Sequence, residues 1–268
     1  MNLLVFKIGN AVFLSILQLT AGYLSSVLLY SILKRNKELP KQSRTFELIG
    51  ILFSSTGGIL LPLGPIGAVP ILATALKGGV RVCFVLPLLI SSVLINTSVL
   101  LTEADFFLEA NINRIILAFV AGAVSGIVAK VIRINVERIF RGEILENFAI
   151  KSTVLPDISK TIRNGIYIAG PYIILGAAAN VLFHTYLFFD LITWFFSNPS
   201  SSFAAKILFS YNAPVKPLFL LAASAINILF NLLAAVSLMI VLNVRGFLAC
   251  YIYYSLIILL LVSSIFII

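Results

Sequence analysis

Four stretches of this chain, 82–101, 115–129, 217–242 and 247–268, contain no Asp, Glu, Lys or Arg. Each is long enough to cross most of a bilayer core, which takes about 20 residues as a helix. Over the 268 residues, 60% are hydrophobic and 11% charged, where a soluble domain carries about 25% charged residues. So much apolar side chain has no interior large enough to hide in. Lipid is the expected solvent, and the length allows roughly six to eight membrane segments with no large soluble module. A cytosolic enzyme, a disordered chain and a disulfide scaffold are excluded on the same ground.

The charges fit that solvent. Nineteen Lys and Arg stand against ten Asp and Glu, for a net charge of +9. The basic residues sit in short runs between apolar stretches, the pattern of the positive-inside rule. No basic patch with interleaved aromatics speaks for nucleic acid. Cys83 and Cys250 lie in apolar stretches with no ligand-spaced partner, so they read as small apolar filler. His184 is the single histidine, too few for a zinc site or a hydrolytic triad. No phosphate-binding GxxxxGK[ST] loop occurs. No metal, cofactor or catalytic residue is therefore expected, and the chain is not read as an enzyme.

Along the chain, 8–33 is an apolar stretch too long for a signal-peptide core and reads as a retained helix. Residues 34–41 are a polar turn. The stretch 48–76 is apolar but interrupted by Gly57-Gly58 and by Pro62-Leu63-Gly64-Pro65-Ile66-Gly67-Ala68-Val69-Pro70. Three prolines and two glycines in nine residues are expected to stop an α-helix. Unpaired backbone cannot face lipid, so such a break must be buried in protein or line a cavity. The stretch 48–76 is thus predicted to be two half-helices meeting at a turn within the membrane. Residues 82–101 follow, with a kink at Pro87; then an acidic loop at 102–113; then a span at 115–132. Gly122-Ala123-Val124-Ser125-Gly126 in that span is a small-residue face that lets helices approach closely. Residues 133–163 are the longest polar segment. Spans at 165–189, 217–242 and 247–268 complete the chain, with a short apolar piece at 203–214 and aromatic residues near 186–196 suited to a lipid–water boundary.

If 34–47, 77–81, 130–163 and 243–246 share one side, they hold 15 of the 19 basic residues. That partition requires 48–76 to enter and leave on the same, cytoplasmic, face. Ser91-Ser92-Val93-Leu94-Ile95-Asn96 and Ala222-Ala223-Ser224-Ala225-Ile226-Asn227 occupy equivalent places after the two broken segments. The two units then enter from opposite sides, as in the inverted repeats of many transporters. The fold expected is an all-α integral membrane protein, a polytopic helical bundle of two inverted repeats, each with a broken or re-entrant helix pair. Residues 1–132 form the first half, 133–163 a cytoplasmic linker and 164–268 the second half, in the cell's inner (cytoplasmic) membrane.

With no charge in those four stretches, the polar groups left at membrane depth are amides, hydroxyls and broken backbone. Ser92 and Asn96 are four residues apart, on one helix face, as are Asn227 and Asn231. They serve either helix–helix hydrogen bonding or the lining of a solute path. The turn adds backbone N–H and C=O groups, with glycines allowing close approach. The candidate pathway residues are Pro62, Gly64, Pro65, Gly67, Pro70, Ser92, Asn96, Asn227 and Asn231. Asn96→Leu and Gly67→Leu are expected to reduce flux while leaving the protein folded.

The stretch 48–132 resembles the ArsP-type permeases, a family that includes organoarsenical efflux proteins. Their first repeat carries a Pro-Cys-Cys-Ser-Cys-Gly-Val-Ile-Pro type turn, then Leu, a basic residue and Gly, then a small-Ser-Pro-Leu-Ile-Asn segment. Here Pro62, Gly67 and Pro70 frame the turn, Leu76-Lys77-Gly78 follows, and Asn96 closes the last segment. The second half is similar more loosely. Leu63, Gly64 and Ile66 stand where the family has cysteines, and these side chains cannot hold a soft arsenic centre. The resemblance implies the fold and a transport role for a small solute, without trivalent arsenical efflux. The alternative is a non-transporting membrane subunit or anchor that retains a degenerate permease fold. A homo-oligomer or a partner subunit is compatible with either reading, and neither is read from the residues.

Overall fold

The structure is a computed structural model, which describes residues 2–35, 44–60, 63–95, 108–133, 139–182, 186, 238–240, 242–243, 245–250 and 252–253. Among these residues the fold is all-helical; the one extended contact is an isolated bridge between Phe140 and Leu242. The main helices are α1 (Asn2–Arg35), α2 (Arg44–Leu60), α3 (Gly64–Lys77), α4 (Val82–Leu94), α5 (Leu108–Ile132), α6 (Gly142–Phe148) and α7 (Leu155–Leu182).

Four of the expected boundaries move, each for a local reason. Gly57-Gly58 does not interrupt α2. A Cβ on Gly58 would sit 2.1 Å from Ser91 Oγ and 2.5 Å from Leu88 O, so glycine here lets α4 lie directly against the α2 backbone. The 62–70 stretch is not a continuous break either, because α3 begins at Gly64. Pro65 falls in the first turn, where a missing N–H costs nothing. The Gly67 N–H closes that turn on Leu63 O at 3.1 Å. Pro70 stands inside α3, and the flanking buried contacts carry the helix past the missing bond. Among the described residues the interruption is seen at Leu63, which stands in a turn, and at Gly64, whose φ is +57°. The acidic loop is helical from Leu108 onward. The polar segment 133–163 contains α6 and the first turns of α7, and its Phe148, Ala149 and Ile150 are buried.

The helices pack around α4, which touches α2, α3 and α5. Helix α2 also packs on α5, α1 packs on α3 and α7, and α6 bridges α3 and α7. Ile66, Leu72, Val85, Leu89, Ile90 and Ala118 lie in the resulting core. The small face of α5 does what its spacing suggests. A Cβ on Gly122 would meet Ser55 Oγ at 2.4 Å, and one on Gly126 would meet Cys83 O at 2.8 Å. Close approach there lets the Ser55 hydroxyl donate to Phe119 O across the α2–α5 contact, at 2.8 Å.

Polar contacts collect at one end of the bundle. Glu47, at the start of α2, pairs with Lys130, at the end of α5, at 2.6 Å, and with Arg81, just after α3. Lys77 pairs with Glu146 at 2.5 Å. The Tyr30 hydroxyl donates to Lys151 O at 2.7 Å, and the Ile150 N–H donates to Thr74 Oγ1 at 3.0 Å. The Asn243 N–H donates to Ile139 O at 2.8 Å. Hydrogen bonds from Lys130 and then Arg81 hold the Glu47 carboxyl below the usual carboxylate range. Ion pairs at a surface stabilise little, and of these only the Lys77–Glu146 pair is exposed on both sides, the Glu47 side chain being 12% exposed. Their value here is positional: both feet of the α2–α3 pair stand at the same end.

Two helical stretches, Leu4–Arg35 and Leu155–Leu182, are long and apolar enough to cross a membrane. On α1 the side chains of Phe6, Phe13, Leu17, Leu24 and Leu28 form an outward stripe in which each is more than half exposed.

Candidate functional site

The α3 tip is built on one surface of α1. Ser15, Gln18, Gly22 and Ser26 recur at helical spacing on the side away from the exposed apolar stripe, and all are buried. The Ser15 and Ser26 hydroxyls donate back to Ala11 O at 2.8 Å and Gly22 O at 2.7 Å. This satisfies them within the helix. At Gly22 the two backbones meet: a Cβ there would lie 2.0 Å from Gly67 O. One turn earlier, the Gln18 carboxamide lies against Gly64, with Oε1 2.8 Å from where a Cβ would stand. Among the described residues, Gln18 is the one buried residue with a side-chain amide.

Gly64 begins α3 with φ +57°, in the left-handed region, and the turn requires glycine for that reason. Gly64→Ala is expected to destabilise the fold by about 1–2 kcal/mol. Gly64→Asn should lose at least as much: asparagine tolerates this conformation, but its larger side chain must enter the space that the Gln18 carboxamide fills. Thermal unfolding of the purified protein in detergent measures both, and an alanine variant as stable as the parent contradicts the assignment.

The structure brings Gly64, Gly67 and Pro70 together on the first turns of α3, with Pro65 in the same first turn. Gly64, Gly67 and Pro70 are buried between neighbouring helices. Ser92 lies on α4, against α2. It is buried, and its hydroxyl donates to Leu89 O at 2.8 Å. Helix α4 ends at a C-cap on Ile95, immediately before Asn96. Pro62, Asn96, Asn227 and Asn231 lie outside the described residues. Gly67 also changes meaning. A Cβ there would stand 2.6 Å from Gln18 O and 2.7 Å from the Leu63 Cβ, so Gly67→Leu breaks the helix crossing and cannot serve as a flux variant that leaves the protein folded.

The residue that sequence reasoning missed is Gln18. A polar residue in an apolar helix was the available signal, but nothing in the sequence says which other helix its amide faces. Among the described residues no three of His, Cys, Asp and Glu come together as metal ligands. What the tip offers is a neutral amide beside a helix start, chemistry suited to hydrogen bonding rather than to proton transfer or metal binding. Comparison of the chain with family models, with curated proteins and with solved structures finds no match.

Proposed function

We propose that this chain is a polytopic membrane permease of two inverted repeats, which moves a small solute through the cytoplasmic membrane past the α3 tip. The observation that carries the reading is the pair α2 and α3: their outer ends are tied together through Glu47 and Arg81, while α3 starts at Gly64, four residues after the end of α2 and beside Gln18. Broken helices at membrane depth are where transporters bind their cargo. The exposed apolar stripe of α1 supports a lipid surround, since soluble proteins rarely leave so long an apolar face uncovered. The gathering of Lys77, Arg81, Lys130 and Lys151 at one end supports a cytoplasmic face there. Gln18 and, by sequence, Asn96 are the amides assigned to the path.

The burial of Gly64, Gly67 and Pro70 favours a second reading, a non-transporting subunit that keeps the fold. One experiment separates the two. Proteoliposomes are tested for uptake of isotope-labelled probes: a neutral polyol, a small organic anion and a small organic cation. The permease reading expects protein-dependent uptake of at least one, reduced about tenfold or more by Gln18→Leu and by Asn96→Leu, with unfolding midpoints within a few degrees of the parent. A tenfold loss corresponds to about 1.4 kcal/mol in the transport barrier, within the range for one lost hydrogen bond. No uptake of any probe, with a stoichiometric partner copurifying from native membranes, establishes the second reading instead.

A further inference from the structure

The sequence read 133–163 as a solvated linker. The structure gives its last part a more particular surface. The first three turns of α7 carry two stripes side by side. Asp157, Lys160, Thr161 and Asn164 form a polar stripe; Leu155, Ile158, Ile162 and Ile166 form an apolar one. Each stripe walls its own recess. The polar recess, of about 310 Å³, is closed by Glu146 and Lys151. The apolar groove, of about 440 Å³, is closed by Leu24 of α1 and by Arg163. Ile158 is shared by both.

Their levels in the bundle differ in a useful way. Lys151 is tied to Tyr30 by the hydrogen bond to its carbonyl. Leu24 is six residues before Tyr30, so it lies about 9 Å further from the charged end of the bundle. The polar recess thus sits at the charged end and the apolar groove runs from it toward the middle. Charge is also asymmetric. Glu146 is neutralised by Lys77. Asp157 is then the one remaining acid of the two linings; it lines the polar recess with Lys151 and Lys160, while Arg163 lines the apolar one. Neighbouring recesses, one polar and one apolar, share Ile158 as a wall, and together their linings hold three bases against two acids, one of which Lys77 neutralises. This shape and charge match an amphiphile with an anionic head.

We propose that the α6–α7 surface binds an anionic phospholipid of the surrounding leaflet, its phosphate held by Lys160 and Arg163 and one acyl chain lying along Leu24, Ile162 and Ile166. The site rests on the membrane reading given above but not on transport. A basic pocket beside membrane helices on the cytoplasmic face is an electrostatically favourable place for such a headgroup.

The test is native mass spectrometry of the detergent-purified full chain with phosphatidylglycerol and phosphatidylcholine of identical acyl chains. The parent protein should bind the anionic lipid about 30-fold more tightly, the factor expected from two basic side chains near a lipid surface. Lys160→Gln with Arg163→Gln should bring phosphatidylglycerol down to the phosphatidylcholine level. Ile162→Trp should weaken both lipids by filling the groove. Glycerol 1-phosphate, which has the head without chains, should not compete at concentrations that saturate with lipid. Unchanged selectivity in the double glutamine variant overturns the site, and so does equal binding of glycerol 1-phosphate. The membranes from which the chain is purified are first checked for retention of the protein after an alkaline wash. Protein that washes off overturns the membrane reading itself; protein that stays in the membrane but shows no anionic preference overturns only this inference.

Discussion

Gly22→Ala is expected to yield a protein that no longer holds α1 against α3, with a loss of about 3 kcal/mol or more and much of the material aggregated on extraction. The added Cβ would sit 2.0 Å from Gly67 O and 2.8 Å from Gly67 C, where unstrained contacts lie near about 3.5 Å. Both atoms are backbone, so no side chain can rotate away. The helices must separate, and packing interfaces do not stretch continuously. Leu19 and Tyr23, fully buried on the same face of α1, would lose contact together, which places the effect at the upper end of overpacking costs. Gly9→Ala is the internal control. It lies in the same helix with nothing within 4 Å of an added Cβ, so alanine should be neutral or stabilise by up to about 1 kcal/mol. Thermal unfolding by size-exclusion recovery in detergent measures both. Equal behaviour of the two variants would remove the α1–α3 crossing from the fold.

That pair of glycines also marks how far the sequence could be read. The interruption in 48–76 was legible because proline and glycine act locally, and so was the close-packing face of α5, since Gly122 and Gly126 recur at helical spacing. Segments that charge alone grouped on one side do meet at Glu47, Lys77, Arg81, Lys130 and the Lys151 carbonyl; the membrane topology argued from that grouping remains a proposal. What failed was reading every proline and glycine as a stop. Gly58 and Pro70 sit inside helices because packing against a neighbouring helix outweighs a propensity cost of about 1 kcal/mol for glycine and about 3 for proline. Propensity carries no record of that neighbour. Gln18 and Gly22 were illegible for the same reason: their partners, Gly64 and Gly67, lie on another helix, and nothing in either stretch says which helix it meets. The paired amides at Asn96 and Asn227, on which the repeat was argued, lie outside the described residues and gain nothing from these contacts.

Cysteines placed at 47 and 81, after Cys83 and Cys250 are replaced by alanine, should be joined in most molecules by a short thiol cross-linker within folded membranes. Both should also react with a membrane-impermeant maleimide from the same face. The argument is one of length. Helix α2 has 17 residues and α3 has 14, about 25 and 21 Å of helix. Laid end to end they would exceed a hydrocarbon core of about 30 Å and would leave Glu47 and Arg81 on opposite faces. The ion pair instead holds them together, with Lys130 of α5 on the other carboxylate oxygen. Each half-helix alone is too short to cross comfortably, so in the proposed membrane placement folding back would put the start of α3, beside Gln18, well inside the hydrocarbon. Only backbone buried against protein survives at that depth, and the Gly22–Gly67 crossing supplies that burial. A cysteine pair that labels from opposite faces and never cross-links would make 44–77 a kinked traverse. The junction would then have no reason to be a binding site, the charge partition would lose its symmetry, and the proposed inverted repeat would go with it.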